Sequence, residues 1–183
     1  MTLSIIREAQ KNDDAAKREL FEFYGKVLFR LAKRYLVDTA TTEDAVSQSF
    51  YIILKKMGGC RFAAVPAFEA WMKRIVVNEC LGILRKGKWL DLPGEYESEN
   101  HTADDGIVER LTAGEIFNLI EALPTGYRTV FNLYEIEGYS HGDIATMLGI
   151  SAGTSKSQLS KARNMLQQQV MKLDPTYARR KSV

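Results

Sequence analysis

Soft metal ligands are scarce in this chain, with two cysteines and two histidines among 183 residues. Cys60 and Cys80 form no CxxC and have no neighbouring histidine, which argues against a zinc site. In a reducing cytosol both read as small buried or half-buried thiols. His101 and His141 lack a metal or triad partner in sequence and read as surface residues. Paired carboxylates, a P-loop and a Cys-His constellation are all missing. The chain is therefore expected to be no enzyme, to need no metal or cofactor and to take no small-molecule substrate. Long apolar runs are missing too: no charge-free stretch reaches the ~20 residues that cross a bilayer. The start, MTLSIIREAQK, has no basic region ahead of an apolar core, so no secretory signal and a cytoplasmic location are expected. Strand-period alternation and internal repeats are not found.

Net charge is also small, at +2, but the charges are unevenly distributed. Between Lys55 and Trp89 eight lysines and arginines face only Glu69 and Glu79. From Ser151 onward seven cations face Asp174 alone. Between these patches Asp91, Glu95, Glu97, Glu99, Asp104, Asp105 and Glu109 form an acidic stretch with no cation before Arg110. Two basic patches separated by an acidic tether suggest two nucleic-acid contacts.

What the chain has in quantity is helical period, with apolar residues at 45%. Residues 3–11 and 13–24 read as short helices broken at Asn12 and Asp13. Val27, Leu28, Leu31 and Leu36 stripe a helix over 26–37. Thr41 with Asp44 reads as a capping box opening a helix that carries Val46, Phe50, Ile53 and Leu54 and stops at Gly58–Gly59. Pro66 opens a long helix over about 67–86, with Trp71 on its apolar stripe. Residues 88–111 lose hydrophobics and gain Pro, Gly and acids, which reads as a flexible linker. Thr112 and Glu115 form a further capping box, and a short helix to about Leu123 precedes Pro124. A second helix follows, with Val130, Phe131 and Tyr134 on its core face and Gly138 at its end. The expected fold is all-α. Two small helical domains, 1–87 and 112–172, flank the acidic linker 88–111, and a basic tail covers 173–183.

The most informative stretch is SHGDIATMLGISAGTSKSQLSKARNML, from Ser140 to Leu166. Ser140 and Asp143 cap a helix striped by Ile144, Ala145 and Leu148. Gly149 ends it in a left-handed residue and Ser151 caps the next. On that next helix Leu159, Ala162 and Leu166 project one way. Lys156, Ser157, Ser160, Lys161 and Asn164 fall within about 140° on another face, at ~100° per residue, and Arg163 flanks them. Cations and hydroxyls on one face suit phosphates and base edges, and a glycine-punctuated turn is the mark of a helix-turn-helix.

Taken together the chain resembles the extracytoplasmic-function group of the sigma-70 family. LPTGYRTVFNLYEIEGYSHGDIATMLGISAGTSKSQLSKAR is similar to the family's fourth region. TTEDAVSQSF and FEAWMKRIVVNECLGILRK are similar to two helices of its second. Departures from the family pattern are Ser47-Gln48 for Gln-Glu, Asp143 for Glu, Ser155 for Val, and Gln158 and Lys161 for arginines. A change from arginine alters bidentate geometry and hence the bases read. The resemblance implies a sigma factor that lends promoter specificity to core RNA polymerase. By match to the motifs it implies −35 contacts by Lys156, Ser157, Ser160 and Lys161, with Arg163 on phosphate. It implies −10 contacts by Asn78, on an extruded base, and by Arg74, Arg85 and Lys86 on the backbone. It implies polymerase docking by Glu43, Asp44, Gln48 and Phe50. The partners implied are core RNA polymerase, promoter DNA and an anti-sigma factor, often membrane-bound in relatives. A competing reading is a helix-turn-helix repressor or activator that binds duplex DNA without polymerase.

Overall fold

The structure, a computed structural model, describes residues 1–87 and 112–173. The acidic stretch 88–111, with His101, and the tail beyond Leu173 lie outside the described residues. The chain divides into two compact units, Met1–Gly87 and Lys88–Val183. Among the described residues there is no strand, and no helix is long and apolar enough to cross a membrane.

The first unit holds α1 (Leu3–Gln10), α2 (Asp14–Leu36), α3 (Thr39–Met57) and α4 (Val65–Lys86). Asp13 opens α2 by accepting from the Ala16 amide at 2.8 Å. The two segments expected over 13–24 and 26–37 are one continuous helix. Gly25 sits in its middle, because Ala16, Leu20, Tyr24, Leu28, Leu31, Ala32 and Tyr35 make an unbroken buried stripe. Burying those side chains outweighs the ~0.5–1 kcal/mol that an interior glycine costs. Val27, placed on that stripe by the sequence, is instead 48% exposed.

The opening of α3 also differs from expectation. Its cap is Asp38, whose carboxylate accepts from the Thr41 amide and the Thr41 hydroxyl, both at 2.7 Å. Thr41 and Asp44 lie inside the helix. The Thr41 hydroxyl bond, then the Thr41 amide, holds the Asp38 carboxyl below its usual range. Thr42, Ala45, Val46, Ser49, Phe50, Ile53 and Met57 form the buried face of α3. Gln10, the last residue of α1, reaches across and donates from Nε2 to the carbonyls of Met57 at 2.7 Å and Cys60 at 2.8 Å. It thereby closes the end of α3 and the loop after it. Pro66 stands in the first turn of α4 as expected. Cys80 is buried on α4, which pushes its thiol up to about 12.

The second unit holds α5 (Ala113–Glu121), α6 (Thr125–Phe131), a π-helical turn (Asn132–Ile136), α7 (His141–Leu148) and α8 (Ala152–Leu173). The capping box of Thr112 with Glu115 is present. Where one regular helix was expected up to Gly138, the last turn widens to π geometry. The residues that face inward are Val130 and Leu133, both fully buried, while Phe131 and Tyr134, expected on the core face, are half-buried. Gly138 takes φ +76° and ends the segment.

Arg128 was not singled out by the sequence and proves central here. It is 5% exposed, and Nη1 donates to the carbonyls of Leu123 at 2.7 Å and Glu121 at 3.2 Å. A guanidinium thus satisfies the carbonyls that the end of α5 leaves open. Arg128→Met keeps the aliphatic stem and strips both bonds, so the unfolding free energy of the second unit is expected to fall by about 2–4 kcal/mol. Native-state hydrogen exchange should record that fall in the amides of α6 and α8, with α2–α4 unchanged.

Candidate nucleic-acid interface

Gly149 sits at φ +70° and ψ 34°, the left-handed conformation that ends α7. The amides of Gly149 and Ile150 both return to the Ala145 carbonyl, at 2.9 and 3.1 Å. Two residues on, the Ser151 hydroxyl accepts from the Thr154 amide at 2.9 Å and starts α8. The capping box of Ser140 with Asp143 opens α7. Ile144 and Leu148 hold α7 to the core, while Ala145 is half-buried rather than part of the buried stripe.

Along α8 the two faces separate as the spacing requires. Ser155, Gln158, Leu159, Ala162 and Val170 are buried. Lys156 is exposed, and Ser157, Ser160, Lys161, Arg163 and Asn164 are half-buried on the outer side. Leu166, expected on the apolar face, is half-buried. Gln158 was expected to bear on base reading, but it is 4% exposed and faces the core. Arg163 pairs with Glu135 of the π turn, its Nε donating at 2.7 Å. The Ser157 hydroxyl donates to the Thr154 carbonyl at 3.0 Å. The outer face therefore offers ammonium and hydroxyl donors on a rigid helix whose other side is anchored.

His141, a surface residue by its sequence context, is half-buried and engaged in the structure. Its ring stacks on Tyr134, centroids 4.4 Å apart, and Nδ1 lies 2.9 Å from the buried Ser155 hydroxyl. A bond across fourteen residues, between the first turns of α7 and α8, has no local signature in the sequence. Burial, then Lys156 and Arg163, hold the imidazole below the usual histidine range.

In the first unit the polar candidates lie on the outside. Arg74, Asn78, Arg85 and Lys86 are all exposed on α4. Arg74, Asn78 and Arg85, at i, i+4 and i+11, fall on one stripe at ~100° per residue, and Lys86 flanks it. Trp71 is half-buried, its ring 5.2 Å from Phe62 and 6.0 Å from the fully buried Phe68. Glu43, Asp44 and Gln48 are exposed on α3, and so is Ser47. Phe50, grouped with them from the sequence, is 4% exposed and belongs to the core, its ring 4.9 Å from Phe21. Two aromatics that the sequence did not single out are exposed near it: Phe21 at 52% and Tyr51 at 59%. Tyr51 continues the Asp44–Gln48 face at i+7. The signal that marks Phe21 is an aromatic beside, rather than on, the buried stripe of α2. No group of three or more residues able to hold a metal ion occurs among the described residues.

The chain matches the family described as Sigma-70 region 2 over residues 20–90 and that described as Sigma-70, region 4 over 113–166. It is 32% identical over 157 residues to the ECF RNA polymerase sigma factor SigM of Mycobacterium tuberculosis, covering 84% of this chain and 76% of that protein. It is 27% identical over 183 residues to the ECF RNA polymerase sigma-E factor of Escherichia coli, covering 92% and 94%. Among solved structures it is similar to the sigma factor RpoE from Bartonella quintana, crystallised with the anti-sigma factor NepR. That match has a TM-score of 0.50 and 24% identity, and covers 86% of this chain and 97% of the other.

The depressed imidazole has a measurable consequence. Unfolding frees His141 to titrate near 6.5, so below that pH the unfolded chain binds more protons than the folded one. Stability of the second unit is expected to be full above about pH 6.5 and to fall as pH drops beneath it. His141→Gln is expected to flatten that fall, as read by hydrogen exchange of α7 and α8 amides between pH 5 and 8.

Proposed function

The chain belongs to the extracytoplasmic-function group of the sigma-70 family, and on that premise we propose that it is an alternative sigma factor, which binds core RNA polymerase and directs promoter recognition and transcription initiation. The observation that carries this reading is the division of α8. One face is buried, and the other presents Lys156, Ser157, Ser160 and Lys161 from a helix-turn-helix, in a chain that also matches the region 2 family over residues 20–90.

The unit up to Gly87 contacts the −10 element and the polymerase, and the unit from 112 to 172 contacts the −35 element. Lys161 and Lys156 reach guanine edges or phosphates, Ser157 and Ser160 reach base edges, and Arg163 holds phosphate. For Arg163 this means exchanging Glu135 for the DNA backbone. The exposed stripe of Arg74, Asn78 and Arg85, with Lys86 beside it, follows the opened strand: cations along the backbone and an amide for one extruded base. Glu43, Asp44 and Gln48 dock on polymerase. Since Phe50 is committed to the core, Tyr51 and Phe21 supply the aromatic anchors at that surface. Ser47 and Gln48 both point outward, so their departure from the family pattern bears on docking rather than on folding. The acidic stretch 88–111 links the two units, and the tail from 173 adds positive charge. An anti-sigma factor is a further proposed partner; the charge and aromatic exposure of α2 and α3 suit a protein that competes with polymerase for that surface. The protein acts in the cytoplasm with the polymerase, without a cofactor and without catalytic chemistry of its own. The region 2 match disfavours a repressor or activator working alone.

Run-off transcription over fragmented genomic DNA with purified core polymerase tests this reading. New starts are expected only when the protein is added. No new starts, together with tight duplex binding by the protein alone, would refute it. At a promoter found in this way, Lys161→Ala is expected to cost about 1–3 kcal/mol in holoenzyme binding and to relax one position of the −35 element. An equal loss on every −35 variant would mark Lys161 as a phosphate contact instead.

A further inference from the structure

Near the start of α8 a hydroxyl stands where the family pattern has valine. Ser155 is fully buried, and its Oγ lies 2.9 Å from Nδ1 of His141. A hydroxyl donates as well as accepts, so it satisfies Nδ1 whether or not that nitrogen bears a proton. Valine would satisfy neither state. Tyr134 covers one face of the ring at 4.4 Å. With Nδ1 engaged and a ring face covered, the remaining hydrogen-bonding capacity of the imidazole is at Nε2.

Charged groups meet this ring from each element packed against it. Lys156 and Arg163 act on it from α8. Glu135, on the π turn that also carries Tyr134, is paired with Arg163. On α7, Asp143 is closed into the capping box with Ser140. In the free protein the two cations of α8 oppose a third positive charge beside them. A phosphate brought to Lys156 reverses the balance, because the imidazolium then gains a counter-ion.

We propose that His141 is a phosphate-contacting residue of the recognition surface, donating from Nε2, and that it becomes more fully protonated, drawing on solvent, as the −35 duplex binds. Ser155 is the positioning residue that holds the ring in both protonation states. This rests on the reading of α8 as the DNA-contacting helix. It makes promoter affinity a function of pH through a group that never touches a base.

The test uses holoenzyme, assembled from the full chain and core polymerase, on a promoter mapped by run-off. Dissociation constants are measured at fixed salt from pH 6 to 8 for wild type, His141→Gln and Ser155→Val. Wild-type affinity is expected to fall from pH 6 to 8 by roughly threefold to sixfold more than that of His141→Gln, as for a bound pKa about one unit above the free one. The glutamine variant keeps a neutral donor and should be weaker at pH 6 by the same factor on every promoter sequence. Ser155→Val should lose most of the extra pH slope while the imidazole is still present. Parallel profiles for wild type and His141→Gln in a transcriptionally active holoenzyme overturn the proposal and leave the sigma-factor reading intact. Holoenzyme that makes no specific start refutes that reading instead. A second readout needs no variant. The chain has two histidines, so ¹⁵N-histidine titration of the full chain resolves His141 directly. Its pKa is expected to rise when a duplex carrying the mapped −35 element is added, and an unmoved value overturns the proposal.

Discussion

Gly149 turns the backbone left-handed between α7 and α8 without steric cost, and the direction of α8 follows from that one residue. Ile150 and Ser151 then hold the new direction, one by returning its amide to Ala145 and the other by capping the next helix. With its start fixed, α8 can bury Ser155, Gln158, Leu159 and Ala162 only along one side. The opposite side is left to lysines and hydroxyls whose spacing is set by a helix that cannot roll. A side chain at position 149 would meet no neighbour within 4 Å. The constraint there is therefore torsional rather than a matter of space.

Support for that helix comes from buried polar groups as much as from apolar ones. Arg128, Thr129, Asn132, Ser155 and Gln158 are all buried in the second unit. Buried polar groups are costly when unpaired but define geometry closely when paired, since a hydrogen bond tolerates less displacement than a methyl contact. Arg128 shows the use of this at the α5–α6 corner, where it spans the end of one helix and the start of the next. The first unit is built more conventionally, around Leu20, Leu28, Ile53, Phe68, Met72 and Leu81. Its polar ties among the described residues include Gln10 and the Tyr24 hydroxyl, which donates to Glu69 at 2.9 Å.

How much of this could be read from the chain depended on how local the physics is. The two capping boxes at Thr112–Glu115 and Ser140–Asp143, and the glycines at 138 and 149, each act within a few residues, and all were legible. The opening of α3 misled because Asp38 and Thr41 carry the same capping chemistry three residues apart. Only the path of the chain out of α2 selects the earlier one. Gly25 misled for the opposite reason: its local preference for a break is real but is overridden by a stripe that runs through it. Phe50 and Tyr51 are neighbours in sequence with opposite fates, and one residue of helical phase, 100°, separates core from surface. His141, Ser155 and Arg128 were invisible as a group because their main partners, Ser155 for His141 and the carbonyls of Glu121 and Leu123 for Arg128, lie five to fourteen residues away and outside their own helix.

The two bonds made by Gln10 have a bearing on how the first unit comes to exist on a ribosome. Its amide clasps carbonyls 47 and 50 residues further along. Gln10 must therefore wait for these two acceptors until the chain as far as Cys60 has emerged. α1 can settle on α2 before then, but the Gln10 amide has no carbonyls to hold, so the end of α3 is the corner sealed last. A side chain of the first helix thus closes a corner made some fifty residues later, and cutting the chain after Gln10 would loosen that corner.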